Sequence, residues 1–379
     1  MFFEVCIDVV NKALDPYDLD RECAVDTLCK LATAVRRNHH VVFIPLLSEE
    51  MIRKLDNVLG KNEVVSLQYC FKKKRDLYAL GKIIKVKAVV SFEKTEGNVD
   101  NVIYLNPKFT SKFEYNEECH LLTENIMDSE FFAYITKVYQ KNCRVDSGLF
   151  RIKFFPVQGG GSTIKDVFVY ECKLCEHFCL CIMDSDKKWP NCTEYGQTAK
   201  EFIKYIEERN ISDDELSKCR YYIMQNVCEI ENLIPMSVLK HFCSVQTKWF
   251  FMNHMNIIQW LDFKKGFEYK LLYYDEAYTE WKKVLPNEIP WQQIDNIRLN
   301  VADIQEFKDR LDSENFPLLF TPWGGKLMDK ILHPDSKHCG KYNLYETELG
   351  SLLPGQKTEW LTIGSLIFSW CCCFSNKII

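Results

Sequence analysis

Long apolar runs are missing from this 379-residue sequence. None reaches the ~20 residues that a membrane-crossing helix needs, and the nearest, Leu361 to Phe374, is short and interrupted by Gly364 and two serines. The start, Met1-Phe2-Phe3-Glu4, has no basic cluster, apolar stretch or small-residue cleavage site of a secretion signal. The last four residues, Asn376 to Ile379, make no prenylation box. A basic excess is also lacking: 48 Lys and Arg stand against 53 Asp and Glu, a net charge of -5. That balance excludes a protein that holds nucleic acid by bulk charge and leaves room for a basic groove on an acidic body. No internal repeat or low-complexity tract is present. With 47% hydrophobic and 27% charged residues, 15 Gly and 12 Pro, the chain reads as folded, at a length of two or three domains. Cysteine is plentiful, at 18. Many of these sit in apolar runs such as Phe178-Cys-Leu-Cys-Ile182, where a free thiol is a small buried hydrophobe. The expectation is a cytoplasmic protein with reduced thiols, its Cys371–Cys373 triplet in a buried terminal helix.

Periodicity divides the chain into three regions. In the first, about 1–115, Ala24, Val25, Leu28, Leu31, Ala32 and Val35 fall at helical spacing. A strand follows at Val41–Pro45, then a helix from the N-cap Ser48 to a stop at Gly60. Strands are expected at Val64–Phe71, Ile83–Phe92 and Val102–Leu105, completing a mixed α+β domain. The middle region, about 116–236, alternates short apolar runs with helical stretches, as parallel βαβ units do. Strands are predicted at His120–Thr123, Phe150–Val157, Phe178–Met183 and Tyr221–Met224, with helices at Met127–Gln140, Thr163–Glu176 and Thr198–Arg209. The last region, about 237–379, is rich in Trp and Tyr and mostly helical. The fold class is therefore α/β, with a central parallel sheet flanked by helices between an N-terminal α+β domain and a helical C-terminal domain.

Acidic residues recur where the middle strands should end, and open parallel sheets bind ligands at the carboxyl ends of their strands. Leu121-Leu-Thr123 runs into Glu124, Phe178–Met183 into Asp184-Ser185-Asp186, and Tyr221–Met224 precedes Glu229-Ile230-Glu231. Carboxylates gathered there repel one another unless a cation neutralises them, and oxygen ligands without histidine favour Mg²⁺ or Mn²⁺ over zinc. Such a site clamps phosphate. Each element also has a plainer reading. Asp-x-Asp can be a solvated turn, Glu124 with Asp128 an acidic first helical turn, and Glu229 with Glu231 an exposed face. Gly159-Gly160-Gly161-Ser162 is either a phosphate-presenting turn or a tight strand-to-helix connection needing positive φ. Lys187 and Lys188 either hold a phosphate or are solvated.

Glu124-Asn-Ile-Met-Asp128, Gly159-Gly-Gly161 and Asp184-Ser-Asp186, each after a strand and in this order, resemble the Toprim fold of topoisomerases, primases and overcoming-lysogenization-defect nucleases. Glu229-Ile-Glu-Asn-Leu-Ile-Pro235 is similar to a segment after the Toprim core in nuclease-like bacterial defence proteins. The resemblance covers about a third of the chain. It implies a Toprim-like domain in which Glu124 is a metal ligand or general acid/base and Asp184 and Asp186 are the metal pair. Asp128 is then a secondary acid, and Glu229 or Glu231 completes the shell. Asn125 stands where the family has glycine. No strand-attacking tyrosine is identifiable, so hydrolysis of DNA or RNA is expected rather than transesterification. The implied setting is anti-phage defence with a partner ATPase or reverse transcriptase, no membrane, and a chain able to form a homo-oligomer.

Two other readings stand beside this metal-dependent nuclease: a phosphatase of haloacid-dehalogenase type with Asp184 as nucleophile, and a non-catalytic scaffold that keeps the fold. Cys172, Cys175, His177 and Cys179 have zinc-like spacing, but they span a helix end and a buried strand, where side chains face opposite ways. Lys72-Lys-Lys-Arg75 reads as a solvated face. Trp323-Gly-Gly-Lys326 lacks the first glycine and the Ser/Thr of a phosphate loop.

Overall fold

A computed structural model describes residues 1–94, 97–99, 101–109, 114–174, 176–209, 216, 218–314, 316–336 and 338–376. The protein is α/β, with parallel sheets flanked by helices. It divides into two compact units that interleave along the chain: Met1–Ile182 with Phe202–Tyr222 and Leu361–Ile379, and Met183–Glu201 with Ile223–Trp360. Among the described residues, no helix is long and apolar enough to cross a membrane.

The first unit carries three sheets. Strands β1 (Phe2–Val5), β2 (Val41–Phe43), β3 (Lys87–Val90), β4 (Gly97–Val99) and β5 (Val102–Leu105) line up in the order β2-β1-β3-β5-β4. The pairings of β1 with β2 and β3, and of β3 with β5, are parallel, and β4 runs antiparallel to β5. The helix Arg21–Arg36 buries Ala24, Leu28, Leu31, Ala32 and Val35, the stripe its spacing predicts. Ser48 caps the next helix, its hydroxyl accepting the Met51 N–H at 3.2 Å. That helix ends at Leu55 rather than Gly60, and Gly60 instead precedes the helix Lys61–Lys72. The expected strand Val64–Phe71 is thus helical. Its buried side chains Val64, Leu67 and Cys70 recur every three residues, which a strand cannot turn to one face.

The second sheet is built from β6 (His120–Thr123), β8 (Phe155–Gln158), β9 (Cys179–Met183) and β10 (Cys219–Ile223), in the order β10-β9-β6-β8. Strands β8 and β9 both lie parallel to β6. All five residues of β9 are buried, as in a strand covered on both faces. The expected strand Phe150–Val157 is two: β7 (Phe150–Ile152) leaves the sheet to pair antiparallel with β11 (Cys372–Phe374). The C-terminal helix runs Pro354–Cys371, so only the first cysteine of the triplet is helical, and all three are buried. From β6 the chain goes to β8 on one side and then crosses to β9 on the other, so direction reverses between β6 and β9. In parallel sheets that reversal marks the ligand crevice. Thr123 pairs with Ile182 at this edge.

The second unit is mainly short helices around aromatic side chains. Phe251, Phe263, Phe320 and Trp323 pack ring against ring, with centroids 5.3–6.3 Å apart. Phe263 is wholly buried, and the residue after it is the lysine on which the site below turns.

Candidate functional site

Within the first unit, Glu124 leaves β6 half-buried, close enough to Cys181 for its charge to help burial raise that thiol's pKa. Asn125 and Asp128 form a reciprocal cap on the helix Ile126–Asn142. The Asn125 side chain accepts the Met127 N–H at 3.1 Å, and the Asp128 carboxylate accepts the Asn125 N–H at 2.9 Å. Asp128 therefore has a structural task, and Asn125 is a helix cap. Gly160 and Gly161 adopt φ of 69° and 62°, the left-handed conformation that the turn reading requires. The Gly159 and Gly160 N–H groups are committed to the carbonyls of Thr123 and Glu124, at 2.7 and 3.0 Å. Ser162 is exposed in a short 3₁₀ turn over Gly161–Thr163.

The second unit brings Asp184, Asp186, Lys187, Lys188, Glu229 and Glu231 into one neighbourhood. The loop after β9 is pinned to the segment after β10. The Ser185 and Asp186 N–H groups both donate to the Cys228 carbonyl, at 3.1 and 2.8 Å, and the Ser185 hydroxyl donates to Val227 at 2.5 Å. That segment is held in turn by buried Glu359, whose Oε1 accepts Gln225 N–H, Asn226 N–H and Asn226 Nδ2 at 2.7, 2.7 and 2.9 Å. Asp184 Oδ1 accepts the Ile230 N–H at 3.0 Å, so one of its oxygens already caps the 3₁₀ helix Ile230–Leu233.

Asp186 is different. Its φ of 53° is left-handed, a strained state for a residue with a Cβ. Gly196 lies against it so closely that a Cβ on that glycine would fall 2.1 Å from the Cβ of Asp186. Among the described residues its carboxylate accepts no hydrogen bond and forms no ion pair. Burial pushes its pKa up, and the charges of Lys188, Lys265 and Lys264 pull against that. A half-buried, strained and unpaired carboxylate is the pattern of a binding group rather than of a surface turn.

The two glutamates are buried rather than an exposed face, at 5% and 4% exposure for Glu229 and Glu231. Lys264 Nζ lies 3.2 Å from Glu229 Oε2 and 3.1 Å from Glu231 Oε2, the latter a charge contact off the hydrogen-bond direction. Glu229 Oε1 also accepts the Phe263 N–H at 3.0 Å. Burial, then repulsion from Glu231, pushes the Glu229 carboxyl up to about 8, and burial also raises Glu231. Lys264 is shifted upward by both glutamates and Asp184, which outweigh its burial. Burial thus favours the neutral form of both carboxyls, and among the described residues Lys264 is the one cation that touches the two of them. Asn232 fixes the segment: its Nδ2 donates to Ile258 and Leu261 carbonyls at 2.9 and 2.8 Å, and its Oδ1 accepts the Glu229 N–H at 2.8 Å.

The two lysines proposed for phosphate have protein partners. Lys188 pairs with Glu268 at 2.6 Å. Lys187 is largely buried, reaching Gln225 at 3.4 Å and standing 4.8 Å over the Tyr195 ring. Sequence reasoning missed Lys264, Gly196, Asn232 and Glu359. Only Asn232, inside the quoted Glu229–Pro235 segment, left a signal.

Among the described residues, no three His, Cys, Asp or Glu side chains gather as a metal-holding group. Cys175, a member of the zinc-like spacing, lies outside the described residues. Mg²⁺ needs no all-protein cage: it keeps several waters and commonly binds one or two carboxylates together with substrate phosphate. Asp184 and Asp186 fit that requirement, being hard oxygen donors on a rigid loop, one of them unpaired. Glu229 and Glu231, already paired with Lys264, do not. Compared with known proteins, the chain matches no family model, no curated protein and no solved structure.

Proposed function

We propose that the protein is a Toprim-like, Mg²⁺- or Mn²⁺-dependent phosphodiesterase acting on nucleic acid. The observation that carries this reading is the Asp184-Ser185-Asp186 loop, a pinned turn at the carboxyl end of a parallel strand that presents a strained carboxylate with no hydrogen-bond or ion-pair partner among the described residues. When bound there, Mg²⁺ supplies Lewis acidity toward a phosphate diester. The chain does the rest. Ser185 and the Cys228 carbonyl fix the loop, the Ile230 N–H orients Asp184, and Gly196 holds Asp186 in place. Lys188, tethered to Glu268, keeps a positive charge beside Asp186 that favours an approaching phosphate. Glu124 is proposed as a participant on the family resemblance alone. The defence setting and a partner ATPase or reverse transcriptase are proposed on the family resemblance alone.

The test is cleavage of single- and double-stranded DNA and RNA with Mg²⁺ or Mn²⁺. Asp184→Asn should lower turnover by at least about 100-fold, since it removes a cation ligand, and Glu124→Gln should do the same. Equal turnover by wild type and Asp184→Asn would refute the assignment.

A further inference from the structure

We infer that Lys264 is a built-in cation, its ammonium group taking the place of a second divalent ion between Glu229 and Glu231. The inference rests on the reading that Asp184 and Asp186 hold one ion. In two-metal phosphoryl-transfer sites, the second ion lies about 3.5–4 Å from the first. Here the pair is already served. Lys264 Nζ stands 3.2 and 3.1 Å from the two Oε2 atoms, so a single cation already sits between the two buried carboxylates.

The placement is built rather than incidental. Asp262 Oδ1 accepts the N–H of Lys264 and of Lys265, at 2.9 and 2.8 Å, forming a turn that separates the two lysines. Lys265 stays exposed, 3.5 Å from Asp262. Lys264 turns toward the glutamates, and Phe263 between Asp262 and Lys264 is locked both by its ring cluster and by its N–H bond to Glu229. The side chain of Lys264 is 35% exposed while those of Glu229 and Glu231 are 6% and 5% exposed, so the lysine is the solvent-facing member of the cluster. A lysine held this way is selective in a manner a solvated one is not: it leaves the protein able to bind one divalent ion and unable to bind two.

Mn²⁺ titration of the full chain by calorimetry tests this. One ion per chain is expected for wild type, lost in Asp184→Asn and unchanged in Glu229→Gln, Glu231→Gln and Lys264→Arg. Lys264→Met should bind a second Mn²⁺, and Mn²⁺ should raise its Tm by more than that of wild type. A stabilising ion pair alone would not change the number of ions. The inference is overturned if Glu229→Gln or Glu231→Gln reduces the ion count of the protein, or if folded Lys264→Met gains no ion. Should Lys264→Met not fold, the glutamine variants alone decide. An ion count indifferent to Asp184→Asn would instead overturn the phosphodiesterase reading.

Discussion

Gly196→Ala is the sharpest probe of the acidic loop, because it adds one methyl group at a point where the fold has no room. The new Cβ would lie 2.1 Å from Asp186 Cβ and 2.9 Å from its Oδ2. Ordinary carbon contacts begin near 3.5 Å, so the loop must give by more than about 1 Å. Asp186 Cβ is fixed to a backbone that the Cys228 carbonyl holds at 2.8 Å, so rotation of a flexible side chain cannot relieve the clash. Overpacking of this kind costs about 1–3 kcal/mol, a fall in Tm of roughly 2–12 °C at about 2–4 °C per kcal/mol. Because the group displaced is the unpaired carboxylate, Mn²⁺ affinity should drop by about 10–100-fold, the usual effect of disturbing a ligand's support. Gly325→Ala, in the same unit and with nothing within 4 Å of its added Cβ, is the matched control and should change neither quantity. Thermal unfolding and calorimetric Mn²⁺ titration read both effects. A Gly196→Ala protein with the Tm and Mn²⁺ affinity of wild type would show that Asp186 does not hold the ion in this conformation.

Two further outcomes follow from the glutamate cluster. Glu229 has its carboxyl pushed up to about 8 from an ordinary 4.5, so the folded protein binds this proton more tightly than the unfolded chain does. Its contribution to stability is complete below about 4.5 and is lost as pH rises through about 8. Tm of wild type should therefore fall from pH 6 to pH 8 more steeply than that of Glu229→Gln, and parallel profiles would contradict the assigned shift. Asn232→Ala leaves the Leu261 carbonyl and the Glu229 N–H buried without their partner and takes one of two donors from the Ile258 carbonyl, which keeps the Leu261 N–H, at a cost of about 2–4 kcal/mol. Urea unfolding measures this, and a loss below about 1 kcal/mol would mean that water or a shifted backbone replaces those bonds.

Much of the architecture was legible because local pattern and burial agree. The run Cys179–Met183 is apolar at every position, as a strand covered on both faces must be, and the Arg21–Arg36 stripe has an unmistakable helical period. Val64–Phe71 was misread because β-branched and aromatic residues suggested a strand where the buried positions actually follow a helical step. Phe150–Val157 looked continuous because nothing local shows that its first half pairs with a strand more than two hundred residues away. The acids of the site were visible in the sequence, but their surroundings were not. Asp184 and Asp186 announce themselves by following a buried strand. That Asp128 caps a helix, that Glu229 and Glu231 are buried, and that Lys188 is bound to Glu268 all depend on what packs against them.

The sequence by itself determined the periodicities, the order of the strands along the chain, and the residue types that collect after them, since these are properties of neighbouring positions. Which carboxylate stays unpaired and which is paired with a lysine was decided only by tertiary structure. Lys264 lies more than thirty residues from the glutamates it serves and reads locally as half of a solvated lysine pair. Gly196 reads as a turn until Asp186 is found against it. Charge and clearance depend on distances through space, and the fold sets those distances by burying Phe263 and pinning the loop to Cys228.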